Sequence, residues 1–232
     1  MKLAVMQPYF FPYIGYYQMI KAVDKFILYD DVNYIKGGWI NRNNILTNNE
    51  RKYFTLNLSE PSPNKLINEI KIGTNKDKIL KTIRQNYSKA PFFKENFKVI
   101  EEIFNLIKPD SLISHVAGLS IIKISEYFDF NTKFEYSSEN HFDTKGLEKA
   151  DRLVAICKKN NADTYINAIG GRELYNKEYF LERGISLQFI KAKITEYKQK
   201  GNVFEPSLSI IDVMMYNSKE QINTMFENYE LL

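Results

Sequence analysis

The chain has 232 residues, enough for one medium-large domain or two small ones whose core needs no disulfide or metal staple. Charged residues make up 26% and apolar residues 44%, and no apolar run reaches the roughly 18 to 20 residues of a bilayer span, so neither disorder nor membrane insertion is expected. The 32 basic and 28 acidic residues leave +4, with the lysines scattered, which is too mild a balance to argue for a nucleic-acid partner.

Lys2 to Met6 reads as a short buried strand, and Gln7-Pro8-Tyr9-Phe10-Phe11-Pro12 stops it, because proline removes a ladder donor and restricts the residue before it. Ile14 to Val23 carries Ile14, Tyr17, Met19, Ile20 and Val23 at helical spacing. Phe26 to Tyr29 follows as a second apolar run ending in Asp30-Asp31. Such a crossover joins parallel strands, and ligands of open α/β sheets bind beyond the carboxyl ends, which places Gln7 to Gly15 and Asp30-Asp31 at one edge. A polar stretch with Lys36, Gly37-Gly38, Trp39 and Asn41-Arg42-Asn43 leads through the turn-like Thr47-Asn48-Asn49 to a strand from Lys52 to Leu58. Glu69 to Ile72 looks like a further strand.

Three helical patterns follow, Lys76 to Tyr87, Phe92 to Ile107 and Ser111 to Tyr127, separated by Ala90-Pro91 and Pro109-Asp110, with Ser111 placed to cap the third. The α/β alternation resumes at Phe134-Glu135-Tyr136, so the block around 76–130 is expected to be a helical insertion or subdomain within a single domain spanning 1–232. Gly146 to Asn160 reads as a helix, Thr164 to Ile166 as a strand, Gly170-Gly171 as a turn and Ile185 to Ile190 as a strand. The fold class is therefore α/β, a Rossmann-like parallel sheet flanked by helices, with a central helical insertion.

Four stretches can carry chemistry. The first is Gln7 to Tyr16, where prolines stiffen the turn and Gly15 permits close approach at a helix start. Gln7, Tyr9, Tyr13, Gly15 and Tyr16 are candidates there, although these aromatics can equally cover one end of the sheet. Nucleotidylyl transferases place H-x-G-H at this position; here it reads Tyr13-Ile14-Gly15-Tyr16, and phenols with pKa near 10 cannot replace imidazoles in stabilising a transferring phosphate. In the second stretch, Asp30 and Asp31 can orient an amine or remain a solvated turn. Beyond them Lys36, Trp39, Arg42 and Asn43 offer charge, a stacking face and a planar fork for phosphate or carboxylate. The third runs from Tyr165 to Arg172, with Asn167, Gly170 and Arg172 at the carboxyl edge or simply in an ordinary connection. In the fourth, Phe204 to Asp212, Ser209 caps a helix and Asp212 occupies the capping-box position of a loop able to close over the site.

His115, His141 and Cys157 lie too far apart to seed a zinc site, and no tightly bound cofactor is expected. Cys157 reads as helix core. The lone cysteine, with Met1 to Met6 running straight into Gln7-Pro8 rather than an apolar leader, predicts a reduced, cytoplasmic protein.

Met6 to Tyr16, Trp39-Ile40-Asn41-Arg42-Asn43, Asp163-Thr164-Tyr165-Ile166 and Leu208-Ser209-Ile210-Ile211-Asp212 together resemble the WbqC-like family over nearly the whole chain. Two departures are visible: Asn75 and Ile79 stand where the resemblance leads one to expect tryptophan and histidine, and Ile166 to Gly171 replaces a Ser-Gly-Pro type turn. The resemblance implies an enzyme or accessory protein of bacterial surface-polysaccharide, O-antigen-type biosynthesis. The expectation drawn from it is a transferase placing an acyl or aminoacyl group on a nucleotide-linked amino sugar. Asp30, Asp31 and Tyr13 would be catalytic, the other candidates including Ser209 would bind, and a homodimer would be possible. The alternatives are a nucleotidyltransferase-like activating enzyme and a non-catalytic partner of a glycan-assembly enzyme.

Overall fold

The computed structural model describes residues 1–201 and 203–232. Strand β1 (Lys2–Met6), helix α1 (Ile14–Lys21) and strand β2 (Lys25–Leu28) form the opening crossover, and a hairpin of β3 (Arg42–Thr47) and β4 (Glu50–Thr55) follows. Next come α2 (Lys76–Tyr87), α3 (Phe93–Leu106) and α4 (Ile113–Tyr127), then β5 (Lys133–Tyr136), the short α5 (Ser137–Asn140) and α6 (Lys149–Lys159). The chain ends with β6 (Thr164–Ala168), α7 (Lys177–Leu181), β7 (Ser186–Ala192), α8 (Ile210–Tyr216), α9 (Lys219–Phe226) and β8 (Tyr229–Leu231).

Six strands build one sheet in the order β5-β2-β1-β6-β7-β8, parallel except for β8, which runs antiparallel to β7. The strand order reverses between β1 and β6, the Rossmann-like arrangement expected from the sequence. Register decides what happens at that reversal. β1 stays paired with β2 through Met6↔Leu28, and β2 with β5 through Leu28↔Tyr136. β1 and β6 pair only at Lys2↔Thr164 and Leu3↔Tyr165, so their carboxyl ends part and open a crevice.

The period-2 alternation of the strands feeds two cores. Leu3, Val5 and Ile27 face α6 and α7 together with Leu153, Cys157, Tyr165 and Phe180. Ala4, Phe26 and Leu28 face the larger core, which α1 shares with Ile83 and Tyr87 of α2, Ile100 and Phe104 of α3, Val116 and Ile121 of α4, and α8 and α9. Burial pushes the Cys157 thiol up to about 12, which keeps it protonated and inert.

Some expected elements differ. The strand expected from Lys52 to Leu58 begins earlier and ends at Thr55, and its partner β3 is absent from the sequence expectation because Asn43 and Asn44 disfavour strand on propensity. Asn48 (φ 53°) and Asn49 (φ 64°) supply the left-handed pair of a two-residue hairpin turn. Glu69 to Ile72 is not a sheet strand: Ile67–Glu69 forms one 3-10 turn, and Lys71 and Ile72 make isolated bridges to Leu112 and Leu58. Ser111 does not cap α4, which starts after Leu112 without a side-chain cap; its carbonyl instead accepts from the Ile72 amide at 2.9 Å.

Candidate functional site

A cavity of about 610 Å³ opens where β1 and β6 part. Met6 from the end of β1, Ala168 at the end of β6 with Ile169 after it, and Ile190 to Ala192 of β7 border it on the sheet side. Tyr13, Gly15, Tyr16 and Met19 border it from α1 and its start, and Tyr9, Pro12, Trp39, Asn43, Arg51, Ile194 and Ser207 complete the lining. Gly15 is required by close approach: a Cβ there would lie 2.7 Å from the Ala192 Cβ and overlap the Tyr13 ring.

The turn between β1 and α1 is held open by its own hydrogen bonds. Phe11 adopts a left-handed backbone (φ 44°), a conformation costing a non-glycine residue roughly 1–3 kcal/mol unless its surroundings impose it. Its amide donates to Ser120 Oγ at 3.1 Å, and its carbonyl accepts from Asn43 Nδ2 at 2.9 Å and Ser209 Oγ at 2.7 Å, while its ring stacks on Phe104. Phe10 donates its amide to the Trp39 carbonyl at 3.0 Å, which ties the loop carrying the tryptophan to the same turn. The Tyr16 hydroxyl donates to the Gln7 carbonyl at 2.8 Å.

The N-terminal aromatics therefore divide. Phe10, Phe11 and Tyr17 are core, and Tyr9, Tyr13 and Tyr16 line the cavity. Burial raises the pKa of Tyr9 and Tyr13 above the usual phenol value, and that of Tyr16 well above it, so all three are neutral hydrogen-bonding groups and not bases near neutral pH. Trp39 is 38% exposed, with its ring 6.2 Å from that of Tyr53.

Of the residues singled out from the sequence, Tyr9, Tyr13, Gly15, Tyr16, Trp39 and Asn43 meet in this cavity. The others lie outside its lining. Arg42 is occupied as a loop fastener: it donates to the carbonyls of Gly37 and, at 3.1 Å, Gly38, and its guanidinium lies 4.4 Å above the Tyr53 ring. Lys36 is exposed on the adjoining turn, and Gln7 contributes its carbonyl to Tyr16. Asn167 accepts from the Ala168 amide at 2.7 Å, with its amide against Gly171, while Gly170 and Arg172 are exposed. Ser209 is fully buried and caps α8 by accepting from the Ile211 amide.

Asp30 and Asp31 are neither a solvated turn nor part of the cavity. Asp30 is 0% exposed and accepts from the Ser138 amide at 3.0 Å and the Ser138 hydroxyl at 2.8 Å, at the start of α5. Asp31 accepts from Ser137 Oγ and from Arg152 Nη2, both at 2.5 Å, and Arg152 also lies 4.7 Å above the Tyr29 ring. The tight strand register at β2 and β5 leaves no crevice there, so α5 and α6 close over the acids.

The capping box expected at Asp212 does not form. Its carboxylate is buried and accepts from the hydroxyls of Tyr87 and Tyr197, each at 2.7 Å, and from Gln199 Nε2 at 3.2 Å. Burial raises its pKa above the usual carboxylate value. It thereby fastens Tyr197 and Gln199, which lie in sequence between Ile194 and Ser207 of the cavity lining.

The sequence reasoning missed Arg51, Lys191, Ile194 and Ser207. Arg51 was findable from the Asn48-Asn49 turn, which pairs it across the hairpin with Leu46. Among the described residues, the charged members of the lining are Arg51 and Lys191, and no carboxylate or imidazole belongs to it. The arrangement is suited to bind and orient an anionic ligand with a flat or apolar body. Among the described residues no helix is long and apolar enough to cross a membrane, and no group of three or more His, Cys, Asp or Glu side chains is placed to hold a metal ion.

The profile of the WbqC-like protein family matches residues 7–224. The uncharacterized protein Rv1507c of Mycobacterium tuberculosis is similar to the chain, 29% identical over 224 residues that cover 92% of each. No solved structure gives a significant match.

Proposed function

The chain belongs to the WbqC-like protein family, and from that premise we propose that it is a cytoplasmic enzyme of bacterial surface-glycan biosynthesis. Its proposed reaction transfers an acyl or aminoacyl group to a nucleotide-linked amino sugar. We take residues 1–232 as one catalytic unit into which α2 to α4 are inserted. The observation that carries the reading is the cavity at the β1/β6 strand-order reversal, lined by Tyr9, Tyr13, Tyr16 and Trp39 and free of carboxylates.

In this reading Trp39 and Tyr9 stack on the flat parts of the nucleotide sugar, and the sugar amine attacks the carbonyl of an activated acyl donor. The C–N bond forms, the bond to the leaving group breaks, and the ammonium proton leaves with that group or to water. The neutral Tyr13 phenol donates to the oxygen on which negative charge develops, a role that a raised pKa suits. Catalysis then comes mainly from holding two reactants together. Asp30 and Asp31 fasten α5 and α6 to the sheet beyond β2, and the catalytic assignment rests on Tyr13.

A thermal-shift panel with nucleotide-linked amino sugars, acyl-CoA, aminoacyl donors and nucleoside triphosphates with magnesium tests the reading. A nucleotide sugar at about a hundred times its dissociation constant stabilises by roughly 2.7 kcal/mol. That is a shift of about 5–10 °C at this chain length. Amide formation by the wild type and its loss in Tyr13→Phe, with nucleotide-sugar binding retained, is the expected outcome. Silence across the panel would replace the enzyme with a non-catalytic partner, and a response to triphosphates alone would replace transfer with nucleotidyl activation.

A further inference from the structure

Arg51 belongs to the lining of the cavity, yet the protein itself occupies its guanidinium. It pairs with the Glu205 carboxylate and donates to the Pro206 carbonyl at 2.7 Å. The two side chains are 39% and 37% exposed, so water screens the pair and a competing anion can take Glu205's place at small cost. The backbone around Glu205 has ties that do not involve Arg51: its amide donates to Gln199 Oε1 at 2.8 Å, its carbonyl accepts from Gln199 Nε2 at 3.0 Å, and Gln199 is anchored on Asp212. The Glu205 side chain can therefore leave Arg51 while the segment stays fastened.

Register places Arg42, Asn44 and Leu46 on the same hairpin face as their partners Thr55, Tyr53 and Arg51. Arg42 is committed to the Gly37 and Gly38 carbonyls, which leaves Arg51 as the arginine of this face that a ligand can recruit. On the same face the side-chain amide of Asn44 is 1% exposed and neither its nitrogen nor its oxygen has a hydrogen-bond partner, an arrangement that native interiors avoid unless something else supplies the partner. The stretch that follows Glu205 reaches the backbone of the same residue, the Ser209 amide donating to the Asn44 main-chain carbonyl at 2.9 Å.

We infer that Arg51 is the anion anchor of the cavity, that Glu205 holds it in reserve, and that the occupant is a phosphate- or diphosphate-bearing molecule that displaces the Glu205 carboxylate. The inference rests on the cavity being the ligand site proposed above. A planar guanidinium donates two parallel hydrogen bonds to phosphate oxygens side by side, whereas Glu205 takes its bond from Nη2 through Oε1 on a screened pair. A nucleotide sugar and coenzyme A both carry that chemistry.

Calorimetric titration of the full chain with inorganic pyrophosphate, a nucleotide-linked amino sugar and coenzyme A separates the sources, using wild type, Arg51→Gln, Arg51→Lys and Glu205→Gln. Glu205→Gln is expected to tighten the true ligand by about two- to fivefold, because it removes the internal competitor. Arg51→Gln is expected to weaken it by about tenfold or more, with Arg51→Lys between the two. The unliganded melting temperatures should stay within about 2 °C of wild type, as befits an exposed pair. Binding of any of the three that is indifferent to all substitutions, or no binding of any of them even to Glu205→Gln, overturns the assignment. Pyrophosphate and coenzyme A following the pattern while nucleotide sugars do not bind keeps the Arg51 assignment and removes the transferase acceptor proposed above. A nucleotide sugar that binds without regard to Arg51 or Glu205 does the reverse.

Discussion

Two places on the carboxyl edge of one sheet have opposite fates. Between β1 and β6 the pairing stops at Leu3↔Tyr165 and a cavity opens, lined by neutral phenols and a tryptophan. At β2 and β5 the pairing runs to Leu28↔Tyr136, and the space beyond is filled by Asp30, Asp31, Ser137, Ser138 and Arg152, bonded to one another. The residues that look more chemical are the sealed ones. A strand end makes a site only where the register lets its neighbour part, and a pair of acids beside a well-paired strand end is better used to bind α5 and α6 to the sheet.

The largest effect should come from opening the sealed edge. Arg152→Met leaves Asp31 buried without its cation, and removing one member of such a pair costs about 3–5 kcal/mol. Denaturant unfolding should show a loss of that size in the unfolding free energy extrapolated to water. A loss under about 1 kcal/mol would mean that the edge is not closed by this pair and would restore Asp30 and Asp31 as candidates for chemistry.

Closing the open side is the complementary test. Gly15→Ala puts a methyl group against Ala192 and the Tyr13 ring, an overpacking expected to cost roughly 1–3 kcal/mol and to abolish ligand binding in the cavity. Unimpaired binding in a folded variant would place the ligand elsewhere.

A smaller effect distinguishes two kinds of buried acid. Asp31 has a cation, whereas Asp212 is surrounded by two phenols and an amide, and its pKa is raised by burial. A carboxyl whose folded pKa lies above the unfolded value of about 3.9 contributes fully while protonated below that value, and its contribution is lost as pH rises through the folded pKa. Relative to Asp212→Asn, the wild type should therefore lose stability as pH rises from about 4 through the folded pKa. Parallel pH profiles for the two proteins would contradict this account of Asp212.

Much of the fold is visible in the sequence because local chemistry and global packing agree. The short apolar runs of β1 and β2, the helical spacing of Ile79, Ile83 and Tyr87, and the prolines that end helices all signal what forms. The hairpin strand β3 is hidden because Asn43 and Asn44 look like loop residues, and their value lies in contacts: Asn43 with the Phe11 carbonyl, Asn44 through its own carbonyl with the Ser209 amide. At the site, clustering identifies Tyr9, Tyr13, Tyr16 and Trp39, since flat polar-edged side chains crowd around one turn. Residue type alone misassigns Arg42 and Asp31, because an arginine that binds a ligand and one that binds two glycine carbonyls have the same letter. The Asn48-Asn49 turn signals the hairpin that carries Arg51, and its place in the cavity follows once the fold brings that hairpin to the loop at Ser207.

In the function proposed above, ligand enters at the β1/β6 parting and not at the acid edge. Titrating a nucleotide-linked amino sugar into wild type, Trp39→Ala and Ser138→Ala tests it most directly, because Trp39 borders the cavity and Ser138 holds Asp30 at the sealed edge. The account predicts an affinity loss of about tenfold or more for Trp39→Ala, in line with an aromatic stacking contribution of about 1–3 kcal/mol per base, and no change beyond about twofold for Ser138→Ala. An affinity that survives Trp39→Ala and falls with Ser138→Ala would contradict it and move the site to Asp30 and Asp31.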